Sequence, residues 1–294
     1  MNERMMDAIS RAKSRREGDI GNMPEAGAQT QSAEVGKANE VIESKPATMS
    51  EEPIGSPAKS KSSNQSASLD FSYSQTRQVS LDEDVLKQNR VISGFKHDER
   101  AEVFRQLRSQ VLQQMRANDW STLAITSPRE NAGKTLTAVN LAISLSQEVN
   151  QTVLLVDLDL RKPSVHSTFG VECSQGLVDC MQGHADIEDV LFNPSYPRLT
   201  VLPGNELGVH SSELLTSPKM RSLIDEITHR YDDRLIIFDL PPLLRNDDAL
   251  VFAPLVDCVM LVVEAGENAS EEVQRSMRLL QGSNLLGTVL NKFK

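Results

Sequence analysis

The chain has 294 residues, 39% of them hydrophobic, and a formal net charge of −10. That balance argues against bulk nucleic-acid binding, and no apolar run approaches the ~20 residues that a membrane-spanning helix needs. Its three cysteines, Cys173, Cys180 and Cys258, lack C-x-x-C spacing, which points to buried thiols in a reducing, cytoplasmic compartment.

The first residues are too polar for a secretory signal peptide. A short helix is expected over 3–17. Met5, Met6, Ile9 and Ala12 fall near one face, and Arg4, Arg11, Lys13, Arg15 and Arg16 supply positive charge. A solvated terminus is the favoured reading, and weak contact with an anionic membrane or a partner is the other. From Gly21 to Val79 small and polar residues dominate, so the stretch cannot bury enough surface to offset the entropy of ordering. Residues 1–79 therefore read as a disordered tether, which contains Phe71 and Tyr73. Residues 80–98 regain apolar side chains and are expected to pack as an arm on a domain spanning 99–294.

Glu99 to Ala117 reads as an amphipathic helix, with Val103, Phe104, Leu107, Val111, Leu112 and Met115 at helical spacing. Glu102, Arg105 and Arg108 form a charged row beside that face. Periodicity alone makes them a solvated surface.

Residues 123–137, LAITSPRENAGKTLT, pass from an apolar strand through a polar turn into a helix. Backbone amides at such a turn can face phosphate oxygens, and the helix dipole favours negative charge there. Lys134 would reach the β- and γ-phosphates, and the Thr135 hydroxyl would sit on Mg²⁺. One position departs from the G-x-x-x-x-G-K-[ST] pattern: Pro128 stands five residues before Gly133.

Thr152–Val156 is a second apolar strand, followed by Asp157-Leu158-Asp159-Leu160-Arg161. Alternation points Asp157 and Asp159 the same way. Two carboxylates at a buried strand end require a partner, and a Mg²⁺-nucleotide supplies one. As plain structure they would be loop and cap residues. Short helices and loops fill 164–195, and Arg198–Leu202 is a short strand. Helices are expected over Ser211–Leu215 and Lys219–Arg230. Arg234–Phe238 is a third buried strand, closed by Asp239. Strand Cys258–Val263, helix Ser270–Gln281 and strand Leu286–Leu290 follow. The order implies an α/β fold, a mostly parallel sheet with helices on both faces. Ligands of such sheets bind outside the carboxyl ends of the strands, where Lys134, Thr135, Asp157, Asp159 and Asp239 all fall.

With these residues in view, 99–291 resembles the bacterial tyrosine kinases (BY-kinases) of capsule and exopolysaccharide synthesis. These are P-loop NTPases of the MinD/ParA-like superfamily. SPRENAGKT is similar to the family's Walker A, LLVDLDLRKP to its Walker A′ and LIIFDLPP to its Walker B. Glu102, Arg105 and Arg108 match an E-x-x-R-x-x-R element that joins subunits into rings, which overrides the solvated-surface reading. MMDAISRAKSRR and VSLDEDVLKQNRVISGF are similar to the soluble cytoplasmic autokinase type.

The resemblance implies a protein-tyrosine kinase that uses ATP and Mg²⁺. It places the nucleotide on Pro128, Asn131, Ala132, Gly133, Lys134, Thr135 and Leu136, with Asn291 near adenine. Thr135, Asp159 and Asp239 would hold the metal. Asp157 would be the base, and Arg161 would neutralise phosphate or steady the carboxylates. It further implies a homo-oligomeric ring, activation by a membrane chain-length regulator (a polysaccharide co-polymerase), and recruitment to the inner face of the membrane. The family's C-terminal tyrosine cluster is missing. The tyrosines are Tyr73, Tyr196 and Tyr231, and Tyr73, the one in the tether, is the expected acceptor. Two alternatives stand: a ParA/MinD-type regulatory ATPase, whose signature lysine would occupy the place of Pro128, and an ATP-binding assembly partner without catalysis.

Overall fold

The computed structural model describes residues 76–207, 211–229 and 233–293. The expectations for a helix at 3–17, for a tether through residue 75, and for Tyr73 and Tyr231 lie outside the described residues.

Strands β1 (Arg77–Gln78), β2 (Thr122–Thr126), β3 (Thr152–Asp157), β4 (Phe192–Asn193), β5 (Leu199–Leu202), β6 (Arg234–Asp239), β7 (Cys258–Glu264) and β8 (Leu285–Asn291) build one sheet. Their order is β1-β4-β5-β3-β6-β2-β7-β8. From β5 to β8 every neighbouring pair is parallel. β4 runs antiparallel to β5, and β1 runs parallel to β4, so β1 opposes the parallel core. The first two motif strands, β2 and β3, flank β6, and the three carboxyl ends meet at one edge.

The helices are α1 (Glu83–Gln88), α2 (Ala101–Ala117), α3 (Lys134–Ser146), α4 (Val165–Thr168), α5 (Leu177–Gln182), α6 (Ile187–Val190), α7 (Ser211–Leu215), α8 (Pro218–His229), α9 (Asp248–Phe252) and α10 (Ser270–Leu279). Period-two alternation divides the apolar strand residues between two layers. Ala124, Leu154, Val156, Ile236, Phe238, Val259 and Leu261 face one core with α5, α6, α8 and α9. Leu123, Ile125, Val153, Leu155, Leu235, Ile237, Met260 and Val262 face the other, with α2, α3 and the arm. Burying each such side chain contributes roughly 1.5–3 kcal/mol before entropy is charged against it. Because both faces are covered, β2 and β6 are buried along their whole length.

α3 lies between the sheet and an outer layer of α2 and residues 80–98, which is why it is apolar nearly all round. Leu86 and Val91 of the arm are buried against it. Asn140, fully buried in mid-helix, fastens the arm. Its Oδ1 accepts from the amides of Ile92 (2.8 Å) and Ser93 (3.0 Å), and its Nδ2 donates to the carbonyls of Arg90 and Leu136. Asn89 reaches the carbonyls of Ser167 and Thr168 in the same layer.

The expected tether, drawn to residue 79, gives way to sheet at Arg77. β1 is two polar residues held by backbone pairing, extended by Val79 N–H donating to the Asn193 carbonyl at 2.9 Å and Ser195 Oγ donating to the Val79 carbonyl at 2.8 Å. Such a strand leaves no hydrophobic pattern to read.

Candidate functional site

The site is built where β2, β3 and β6 end. β2 leads into the loop 127–133, which is stitched to the chain after β6: Leu243 N–H donates to the Ser127 carbonyl at 2.8 Å and Leu244 N–H to the Pro128 carbonyl at 3.2 Å. Asn131 and Gly133 take positive φ, 61° and 91°, and the loop then turns into α3 at Lys134. Gly133 meets two demands at once. Its φ is left-handed, and a Cβ there would stand 2.1 Å from Asn291 Nδ2. Asn291, at the end of β8, donates that nitrogen to the carbonyl of the buried Ala132 at 2.8 Å, so it closes onto the loop itself. Leu136 lends its carbonyl to Asn140. Gly133→Ala is expected to break the Asn291–Ala132 bond and to weaken nucleotide binding by at least tenfold, about 1.4 kcal/mol. Titration with a fluorescent ATP analogue would check this, and unchanged affinity would show that the loop tolerates a side chain there.

Lys134 is buried among carboxylates. Its Nζ lies 2.7 Å from Asp159 Oδ2 and 3.7 Å from Asp239 Oδ1, and it donates to Thr135 Oγ1 at 3.2 Å. Thr135 in turn donates to Asp239 Oδ2 at 2.6 Å. Burial alone would push the lysine down, but the charges of Asp239 and Asp159 outweigh it and hold the ammonium above its ordinary value. Burial pushes the carboxyl groups of Asp157 and Asp239 up from the ordinary range. For Asp157 the charge of Asp239 adds to it, and for Asp239 the neighbouring Lys134 opposes it.

Asp157 faces Asp239 across the β3–β6 pair. It is fully buried, and its Oδ2 accepts from the amides of Ser164 and Val165, both at 2.9 Å, while Oδ1 accepts from that of Asp159 at 3.2 Å. Asp157 thus folds the 158–165 loop over the strand end, leaving Oδ1 with a lone pair to spare.

These residues fit a magnesium nucleotide. One ammonium shares a buried cluster with three carboxylates. Asp239 Oδ1 is buried with no hydrogen-bond donor. The oxygens offered by Thr135, Asp159 and Asp239 are hard donors. Among the described residues no group of three or more His, Cys, Asp or Glu side chains forms a metal cage. Mg²⁺ commonly binds through one or two carboxylates and substrate phosphates rather than through such a cage.

Arg161 is placed differently. Its Nε lies 3.0 Å from Asp248 Oδ2 at the start of α9, where Ser211 Oγ also donates at 2.6 Å. The hydrogen bond that Arg161 donates to Asp248 raises the guanidinium pKa. Arg161 therefore ties the loop after β3 to α7 and α9. The sequence reading missed Asp248, Ser211 and also Ser164, whose Oγ lies 3.3 Å from Thr135 Oγ1. The acidic pair Asp247-Asp248 after the proline-rich turn was a signal for a helix start. It also missed the ion pairs around the loop, Arg129 with Glu272 and Glu130 with Lys162 and Arg245, beside an open cavity of about 560 Å³.

The charged row on α2 splits. Arg105 pairs with Glu102 at 2.7 Å on the surface, next to the exposed Val103. Arg108 turns inward, donates to the Ser144 carbonyl at 3.0 Å and pairs with Glu148 at 3.1 Å, so it fastens α2 to the carboxyl end of α3.

Comparison with known proteins agrees with this geometry. The AAA-domain family matches residues 121–284. A putative tyrosine-protein kinase CapB of Staphylococcus aureus is 32% identical over 194 residues, 65% of this chain and 84% of that protein. The chimerical protein CapA2B2 superposes with a TM-score of 0.64 at 30% identity, covering 72% of this chain and 98% of that one. The septum site-determining protein MinD of Pyrococcus horikoshii, complexed with Mg-ADP, gives 0.50 at 25% identity over 58% of this chain and 70% of its own. With a P-loop ATPase sheet, the three motif strands at one edge and these relatives, the chain belongs to the bacterial tyrosine-kinase family.

Proposed function

We propose that this chain is an ATP-dependent protein-tyrosine kinase of exopolysaccharide or capsule synthesis and export. The observation that carries this reading is the buried Lys134, held between Asp159 and Asp239 at the head of the phosphate loop. Lys134, together with backbone amides of the loop and of the first turn of α3, would hold the phosphates of a bound ATP. Thr135, Asp159 and Asp239 would hold Mg²⁺, directly or through water. When bound there, the ion would supply charge neutralisation on the phosphates. Oδ1 of Asp157 accepts the phenolic proton. A carboxylate is a weak base for a phenol of pKa near 10, so orientation contributes more than proton abstraction. Arg161 acts on the loop between these aspartates rather than on phosphate.

Glu102, Arg105 and the adjacent Val103 form the exposed part of the subunit contact in a homo-oligomeric ring, with Arg108 supporting α2 from beneath. A membrane chain-length regulator activates the kinase and brings it to the inner face of the membrane. Among the described residues no helix is long and apolar enough to cross a bilayer.

Incubation with ATP and Mg²⁺ should put phosphotyrosine on the protein or on an added Glu-Tyr copolymer, and a chelator should prevent it. Adding the cytoplasmic part of such a regulator should raise the rate. The likeness to MinD supports a second reading, a regulatory ATPase. ATP hydrolysis with no phosphotyrosine on either acceptor would favour it.

A further inference from the structure

Asp157 is held from two sides, and only one of them belongs to its own loop. Val156 stands level with Leu202, so the chain that leaves β5 passes Asp157 at once. The buried Gly204 lies against it there. A Cβ on Gly204 would stand 2.8 Å from the Asp157 carbonyl oxygen, 3.2 Å from its carboxyl carbon and 3.2 Å from Cβ of Pro163. Those distances are inside van der Waals contact, so the turn and the aspartate fit together only with a hydrogen in that place. Gly204 does not take a positive φ, and space is therefore what a side chain would violate.

A second glycine backs the first. A Cβ on the buried Gly176 would stand 2.7 Å from the Pro203 carbonyl oxygen, 2.8 Å from Asn205 Oδ1 and 2.9 Å from the Gly204 carbonyl carbon. Hydrogen bonds join the two segments around it. Leu177 N–H donates to the Pro203 carbonyl at 2.9 Å, and Val178 N–H donates to Asn205 Oδ1 at 2.8 Å. Asn205 Nδ2 and Gly176 N–H both donate to Asp179 Oδ2, each at 2.9 Å. Leu207 N–H donates to the Leu160 carbonyl at 2.8 Å, which ties the same turn to the loop that follows Asp157. The start of α5, the turn 203–205 and Asp157 form a stack two glycines thick, braced by Asp179 and Asn205.

The amides of Asp159, Ser164 and Val165 that bind the Asp157 carboxylate come from the loop that Asp157 itself folds, so they move with it. Gly204 belongs to another segment and supports the carboxyl group from outside that loop. Such support matters because a misplacement of about 1 Å at a reacting group costs on the order of 10² in rate.

We propose that Gly204 and Gly176 are positioning residues for Asp157, and that the braced turn 203–205 holds its carboxylate where the acceptor hydroxyl meets it. The proposal rests on the kinase reading above. A side chain at either glycine slows transfer without loosening ATP, because Asp157 holds neither phosphate nor metal in that reading.

The test uses the full chain with ATP and Mg²⁺, the Glu-Tyr copolymer as acceptor, and a fluorescent ATP analogue for affinity. Gly204→Ala should lower kcat about tenfold or more, with KM for ATP and the analogue's affinity within about twofold of wild type. Gly176→Ala and Asn205→Ala, which touch neither Asp157 nor the phosphate loop, should lower kcat about threefold or more with the same split. Adding Gly204→Ala to Asp157→Asn should cost nothing further, because both changes act at one carboxylate. Where alanine at Gly204 prevents folding, Asn205→Ala decides by the same criteria. An unchanged kcat in these variants, a loss of ATP affinity in step with kcat, or a full additional loss in the double variant overturns the proposal and leaves the kinase reading intact. No phosphotyrosine on the copolymer in wild type overturns the kinase reading and this proposal with it.

Discussion

Lys134→Met is expected to abolish phosphotyrosine formation and also to destabilise the magnesium-free protein. Removing a single preorganised donor to developing charge typically costs 10²–10³ in rate, about 3–4 kcal/mol. Lys134 is also the ammonium shared by Asp159 and Asp239, so its loss threatens both binding and transfer. The structural effect has the same origin. Lys134 is 8% exposed, and Asp157 and Asp239 are fully buried. Removing one partner of a buried ion pair costs about 3–5 kcal/mol because the other charge is left uncompensated.

The loss depends on pH with a definite sign. Both aspartates already titrate above the ordinary value of 3.8, and without Lys134 they rise further. A carboxyl raised in the folded state costs stability as pH climbs from its unfolded value through its folded one. The variant's deficit in chelator should therefore be smallest near pH 4 and grow toward neutrality. Urea denaturation across that range would show it, and added Mg²⁺ should narrow the gap. A variant as stable as wild type in chelator at neutral pH would mean that the carboxylates do not rely on this lysine.

Asn140→Ala should destabilise the protein by about 2–4 kcal/mol, although the residue touches neither the phosphate loop nor the carboxylates. It removes the acceptor of two buried amides, Ile92 and Ser93, and a buried donor or acceptor left unpaired costs about 1–3 kcal/mol. The arm should loosen first, because water can then reach those amides. Limited trypsin digestion at Arg90 and Lys96 should accelerate before the remaining chain is cut, and the denaturation midpoint should fall. Unchanged proteolysis would show that apolar contacts of Leu86 and Val91 alone hold the arm.

The parts legible in the sequence share one property: they repeat. β2, β3, β6 and β7 are unbroken apolar runs, and each ends where its hydrophobicity ends. The acidic residues that close β3 and β6 stand out because burial of charge demands a partner. The elements that escaped have no such pattern. β1 and β4 are two residues each, and α9 is five. Asn140 carries no signal of its role in the sequence, and only the arm folded over it explains a fully buried amide there. Arg161 and Arg108 were read through motif position, yet the sequence could not say where a long side chain would turn. Arg161 turned to Asp248, 87 residues away, and Arg108 to a carbonyl 36 residues away.

The clamp on α3 also defines what the smallest working piece of this molecule can be. Glu99 is the boundary that the nucleotide-site motifs suggest, since the phosphate loop and the acidic strand ends all lie beyond it. A chain shortened to begin there would lose β1, α1 and the strip from Val91 to Phe95. It would strip the arm from the helix that starts at the phosphate loop and leave Asn140 without the Ile92 and Ser93 amides that it accepts from. Loss of activity in a piece that starts at Glu99 would therefore report damaged packing of the arm on α3 as well as any missing segment.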